Sequence, residues 1–310
     1  MIAWIFPGQG SQYAGMTKGL CDSSSLIEDS LRLSGRILGF DMVGLMHNGP
    51  EDELTLTQNA QPAILAHSTV IADLLSENGH MPDILAGLSL GEFSALVAAG
   101  SLKYYDALKL VRIRGLAMQD AIAPGKGTMA AIIGLPEELV ERICEEVSPN
   151  GDVIVANYNC PGQVVVSGLT EKVKDVMGLA LERGAKRAIE ISVSAPFHSK
   201  FLQPVGDILR GVLKNMDVRP PKIPVISNVT AELFPDDPEL IKELLVIQAF
   251  SPVKWEQTIR KMISLGVARF LEVGPGRVLS GFVRKIDRNS YVSTTDVENP
   301  AQLREIEISA

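Results

Sequence analysis

Gly87-Leu88-Ser89-Leu90-Gly91 matches the G-x-S-x-G nucleophile elbow, in which flanking glycines permit a turn tight enough to lift a serine hydroxyl clear of a sheet. Its surroundings suit that geometry, because the apolar run 84–88 predicts a strand before the serine and 91–99 predicts a helix after it. A serine hydroxyl attacks poorly until a base takes its proton, so the four histidines are weighed next. His47 precedes Asn48-Gly49-Pro50 and reads as a turn; His67 lies mid-helix among apolar neighbours and reads as packing; His80 follows a helix C-terminus. His198, within Ser194-Ala195-Pro196-Phe197-His198-Ser199, stands where one kind of chain gives way to another, a natural wall for a cleft between domains. The base is expected there.

The elements that must position this pair alternate. Strand 2–6, helix 61–77, strand 84–88 and helix 91–99 predict an α/β fold with a mainly parallel sheet. Helix 61–77 is expected to begin at Gln61-Pro62, proline being favoured in a first turn, and to stop at Asn78-Gly79. After Pro124-Gly125-Lys126-Gly127 the pattern becomes strand 129–133, helix 136–147, strands 153–157 and 163–167, helix 170–183 and strand 187–193. That βαββαβ order is the ferredoxin-like arrangement. It predicts a small domain, 125–198, inserted into a larger one made of 1–124 and 199–310. Beyond His198 the α/β texture resumes, with strands expected at 224–227 and 268–273. The turn Gly274-Pro275-Gly276 before the next helix reads as structural, since the spacing of a dinucleotide loop is missing.

Composition narrows the classes. With 46% hydrophobic and 21% charged residues the chain is an ordinary globular protein, and its apolar stretches break before the roughly 18 residues that suggest a membrane span. Met1 to Phe6 lacks a basic n-region and runs into Pro7-Gly8, which predicts a buried strand rather than a signal peptide and a cytoplasmic location. Cys21, Cys144 and Cys160 are widely spaced, so neither a disulfide framework nor a zinc site is expected. A net charge of -8 disfavours nucleic acid as a partner. Between Lys254 and Arg288, however, basic residues outnumber acids, a surface able to meet an acidic protein.

Phe6-Pro7-Gly8-Gln9-Gly10-Ser11-Gln12, the elbow extended to Glu92, Arg112-Ile113-Arg114-Gly115, Asn157-Tyr158-Asn159, Pro161-Gly162-Gln163, Pro196-Phe197-His198 and Glu272-Val273-Gly274-Pro275-Gly276 together resemble the malonyl-CoA:acyl carrier protein transacylase family from end to end. The resemblance implies an α/β-hydrolase-like large domain with Ser89 as nucleophile and His198 as base. It further implies the backbone carbonyl of Gln248 orienting the imidazole, backbone N–H groups of Gln9 and Leu90 forming the oxyanion hole, and Arg114 gripping the malonyl carboxylate. A planar guanidinium suits that bidentate task better than lysine. Leu110, Val111, Ile113, Leu116 and Met118 around Arg114 predict at least partial burial, and a buried arginine wants an anion. Phe197 beside His198 matches members that take the smaller extender. Malonyl-CoA and acyl carrier protein are the implied partners of a monomer, with no metal or prosthetic group, most simply in fatty acid biosynthesis.

The family most often has histidine immediately before the nucleophile, and this chain has Leu88; altered binding or rate is expected from that, not lost chemistry. The alternatives are a free-standing acyltransferase of a polyketide or malonate decarboxylase system, an α/β-hydrolase esterase, and a non-catalytic carrier-docking module. The esterase fits poorly because no histidine follows His198.

Overall fold

The computed structural model describes residues 1–123, 125–193 and 195–295. Pro124, Ser194 and 296–310 lie outside the described residues, and with them the expected C-terminal end of the larger domain. Eight strands are found among the described residues: β1 Ile2–Phe6, β2 Ile84–Gly87, β3 Gly127–Ile133, β4 Val153–Cys160, β5 Gln163–Leu169, β6 Arg187–Ile191, β7 Arg269–Glu272 and β8 Tyr291–Thr294.

The first sheet is parallel throughout, in the order β2-β1-β7-β8. A parallel sheet is covered on both faces, and β1 shows why this chain complies: Trp4 and Phe6 enter one hydrophobic cluster, Ala3 and Ile5 another. The segment expected as a strand at 224–227 makes only a single parallel bridge to β2, Leu85 with Val225. It leaves the sheet at Ser227, whose carbonyl accepts the Ala231 N–H at 2.9 Å, and that turn delivers Asn228 to the elbow.

The second sheet is antiparallel, in the order β4-β5-β3-β6. The helices Glu137–Val147 and Thr170–Glu182 bury their apolar stripes against Ala130, Ile132, Val164 and Val166 on one face. Alternate residues Met129, Ala131, Val165 and Ile191 point the other way, into a cleft shared with the first sheet. The two parts are also stitched by backbone, Val253 N–H to Ala156 at 2.8 Å and Tyr158 N–H to Val253 at 2.9 Å, beside a bulge in β4.

The helix expected at 61–77 runs over Thr57–Glu77, so Pro62 sits inside it. Proline there deprives the Gln58 carbonyl of its intrahelical donor. Arg112 replaces it, donating from Nη1 to that carbonyl at 2.6 Å. His47 likewise falls in a helix, Met42–Asn48, and not in a turn. No helix of the described residues is long and apolar enough to cross a membrane.

Candidate active site

The elbow is built by close approach. A Cβ on Gly87 would overlap the carbonyl of Gly91, and one on Gly91 would overlap the carbonyl of Phe6 at the end of β1. Ser89 sits between β2 and the helix Leu90–Ala98 with φ 53° and ψ −103°, a conformation costing on the order of 1–3 kcal/mol for a residue with a side chain. Asn228 holds the turn from both sides. Its Oδ1 accepts the Ser89 N–H at 2.7 Å and its Nδ2 donates to the Gly87 carbonyl at 2.6 Å.

Ser89 Oγ lies 2.7 Å from His198 Nε2. The other ring nitrogen, Nδ1, faces the carbonyls of Gln248 at 2.9 Å and Ser251 at 3.1 Å. Carbonyls only accept, so Nδ1 carries the proton, and Nε2 is left with a lone pair aimed at the serine hydroxyl. Burial pushes the imidazole down to about 4, aided by the Arg114 charge and opposed by the two carbonyls. At neutral pH the ring is therefore the free base.

Arg114, from the helix Tyr104–Asp120, is 1% exposed. Its Nη1 donates to Gln61 Oε1 at 2.9 Å, and its Nη2 to Gln248 Oε1 at 2.9 Å and Ser89 Oγ at 3.2 Å. The guanidinium carbon stands 5.4 Å from the centre of the Phe93 ring, and Nε makes no hydrogen bond. Burial lowers Arg114 to about 10, with Glu92 opposing. Glu92 is itself fully buried; one oxygen accepts the Asn228 N–H at 2.9 Å, the other the Gln248 Nε2–H at 2.6 Å. The same Gln248 Nε2 donates to the Ser89 carbonyl at 2.8 Å.

Ser89, His198 and Arg114 open onto a cavity of about 340 Å³, also lined by Gln9, Leu88, Leu90, Phe197 and Phe282. Leu90 is the first residue of its helix, where backbone N–H groups lack intrahelical acceptors. The Ser89 N–H is already given to Asn228, and Leu90 and Gln9, the pair the resemblance implies for the oxyanion hole, both line the cavity. Leu88 adds an apolar wall where histidine would place a polar one. The structure thus brings together Ser89, His198, Arg114, Gln9, Leu90, Phe197 and Gln248. It adds Gln61, Glu92, Asn228 and Ser251, of which only Glu92 sat in a motif.

Two further features lie near this site. The helix N-terminus after Gly274-Pro275-Gly276 is occupied by Glu272, whose carboxylate accepts the N–H groups of Leu279 at 3.0 Å and Ser280 at 2.7 Å. In the basic tract, Arg260 pairs with Glu256, Lys261 with Glu232, and Lys285 donates to Gln163 across the cleft at 3.1 Å.

The acyl transferase domain family matches residues 3–298. The malonyl CoA-acyl carrier protein transacylase of Bacillus subtilis is 44% identical over 300 residues, 96% of this chain and 94% of its own. That of Escherichia coli K12 is 38% identical over 286 residues, 92% of each chain. Among solved structures, an acyl-carrier-protein S-malonyltransferase of Burkholderia pseudomallei superposes with a TM-score of 0.93 at 42% identity over 98% of both chains. A malonyl-transacylase solved in complex with its type II PKS acyl-carrier protein gives 0.93 at 39% identity over 97% of both. The strained serine, its histidine and the buried arginine therefore sit in a chain that belongs to the acyl transferase family, alongside the malonyl CoA-acyl carrier protein transacylases.

Proposed function

We propose that this chain moves malonyl from malonyl-CoA to the phosphopantetheine thiol of acyl carrier protein through a malonyl ester on Ser89, in fatty acid biosynthesis. The observation that carries the reading is one atom with two neighbours: Ser89 Oγ is 2.7 Å from a neutral imidazole nitrogen and 3.2 Å from a buried guanidinium. Gln61 and Gln248 together occupy one N–H on each terminal nitrogen of Arg114. One N–H of Nη1 stays free, and the second N–H of Nη2, which the unloaded serine hydroxyl accepts, can turn to the other oxygen of a carboxylate once Ser89 Oγ is acylated. On that reading Ser89 is the nucleophile, His198 the base, Arg114 the carboxylate clamp, and Phe197 part of the wall that limits acyl size.

The steps balance within the site. As Ser89 Oγ bonds to the thioester carbon, its proton passes to His198 Nε2, and the imidazolium is held by the Gln248 and Ser251 carbonyls. The oxyanion faces the N–H groups of Leu90 and Gln9, each such donor contributing roughly 10²–10³ in rate. The carbon–sulfur bond breaks and CoA leaves with the proton. The carrier thiol then gives His198 its proton, attacks the ester, and Ser89 Oγ recovers a proton as it leaves. Both thiols, the acyl group and the proton are accounted for with no prosthetic group on this chain, the phosphopantetheine belonging to the carrier.

The remaining expectations are proposed with it: a division into 1–124 with 199–310 and an inserted ferredoxin-like 125–198, an α/β-hydrolase-like larger part, a monomer, and a cytoplasmic location. The βαββαβ element order and the position of the cleft between the two sheets support that division. The test is to offer malonyl-, acetyl- and methylmalonyl-CoA to the purified protein and weigh the acyl-enzymes. Malonyl should load fastest, and equal loading of all three would refute the assignment of Arg114 and Phe197.

A further inference from the structure

Glu92 is a carboxylate with no solvent, one flanking cation, two N–H donors and the hydroxyl of Ser227, which can rotate to donate or accept. Its fixed neighbour is the backbone N–H of Asn228, and its adjustable neighbour is the Gln248 amide. That amide has only one satisfactory orientation. Nε2 donates to both Glu92 and the Ser89 carbonyl, so Oε1 is turned to Arg114 Nη2. We propose that Glu92 is a positioning residue for malonyl selectivity, locking Gln248 so that the Arg114 fork is held facing the acyl site beside Ser89 Oγ. The inference deepens the proposed function and rests on it.

An amide at position 92 breaks the lock. Its single oxygen must face the fixed Asn228 N–H, so its NH₂ opposes the Gln248 NH₂. If Gln248 then flips, its NH₂ meets Arg114 and its oxygen meets the Ser89 carbonyl, two repulsive contacts in place of two bonds. Either outcome lets Arg114 move. Malonyl feels that loss, whereas acetyl makes no use of the guanidinium fork.

Acid should imitate the substitution in the wild type. Burial pushes the Glu92 carboxyl up to about 7 against its hydrogen bonds and Arg114. Among the described residues, the groups facing it are Arg114, which stays charged near neutrality, and the uncharged Ser227, Asn228 and Gln248. His198, beyond Gln248, stays neutral from pH 6 to 8. Protonating Glu92 puts an O–H where the Gln248 N–H points, so the malonyl advantage should fall as pH falls through 7.

The experiment measures single-turnover loading of malonyl-CoA and acetyl-CoA, as kcat/KM, for wild type and Glu92→Gln between pH 6 and 8. The expected result is a malonyl-to-acetyl ratio lower by at least about tenfold in the variant, with the pH dependence of the ratio lost. A proportional fall for both substrates, or an unchanged ratio, would overturn the role. Should Glu92→Gln not fold, the wild-type series decides alone: a ratio that declines from pH 8 to 6 supports the inference and a flat ratio overturns it. Wild-type malonyl loading at Ser89 is read in the same assay, so failure of the proposed function is distinguishable from failure of this step.

Discussion

Replacing Arg114 by alanine should reverse substrate preference and not simply slow the enzyme. On the proposed clamp role, malonyl would take up to two charge-assisted hydrogen bonds from Arg114, at roughly 1.5–3 kcal/mol each, or about 3–6 kcal/mol together. Acetyl takes neither, having no carboxylate to offer the guanidinium fork. The malonyl-to-acetyl kcat/KM ratio should therefore fall by at least about a hundredfold, the equivalent of roughly 2.7 kcal/mol. Stability falls as well, because Gln61 Oε1 and Gln248 Oε1 lose their donor and Glu92 its neighbouring charge. Each orphaned acceptor costs on the order of 1–3 kcal/mol, so melting temperature is recorded beside the rates. The assay quenches single turnovers with each thioester and weighs the protein. If both substrates lose rate in the same proportion, Arg114 supports the fold or the CoA portion, and the clamp must be abandoned.

Ser89→Ala should form no acyl-enzyme from either thioester, and a variant that still gained acyl mass would remove Ser89 from the chemistry. Fluorophosphonate labelling of Ser89, which does not use Arg114, should run at constant rate from pH 8 to about 5 and fall only toward the His198 value near 4; an acid limb at the ordinary histidine value of about 6.5 would contradict the buried, neutral base. Phe197→Ser should raise methylmalonyl relative to malonyl loading by about tenfold, the worth of roughly one methyl group in a pocket, with no change in the ratio counting against its place in the wall. Charge reversal at Arg284 and Lys285 should slow transfer to carrier at low salt while leaving loading from CoA intact, and unchanged transfer would show that the carrier docks elsewhere.

Local chemistry was legible along the chain and long-range chemistry was not. The elbow could be read because its demands are met within five residues, glycines at 87 and 91 around Ser89. His198 could be read because few histidines compete for the role. Asn228, 139 residues from Ser89, carries no local mark; only the turn out of the sheet at Ser227 gives its side chain a purpose. Gln61 reads as a helix start, since a proline such as Pro62 ordinarily marks one. Its position inside the helix depends on Arg112 satisfying the Gln58 carbonyl, a contact across 54 residues. The resemblance assigned Gln248 through its carbonyl alone, while its side chain, joined to Arg114, Glu92 and Ser89, became visible only in three dimensions.

The most direct test of malonyl transfer through Ser89 is one intact-mass experiment in two stages. Wild-type protein is mixed with malonyl-CoA and freed of excess thioester, the adduct is mapped by peptide sequencing, and holo acyl carrier protein is then added. The expected result is one malonyl group on Ser89 after the first stage and the same group on the carrier thiol after the second, with the enzyme back at its starting mass. An adduct on another residue, no adduct at all, or a malonyl-enzyme that surrenders its acyl group to water and not to the carrier would contradict it.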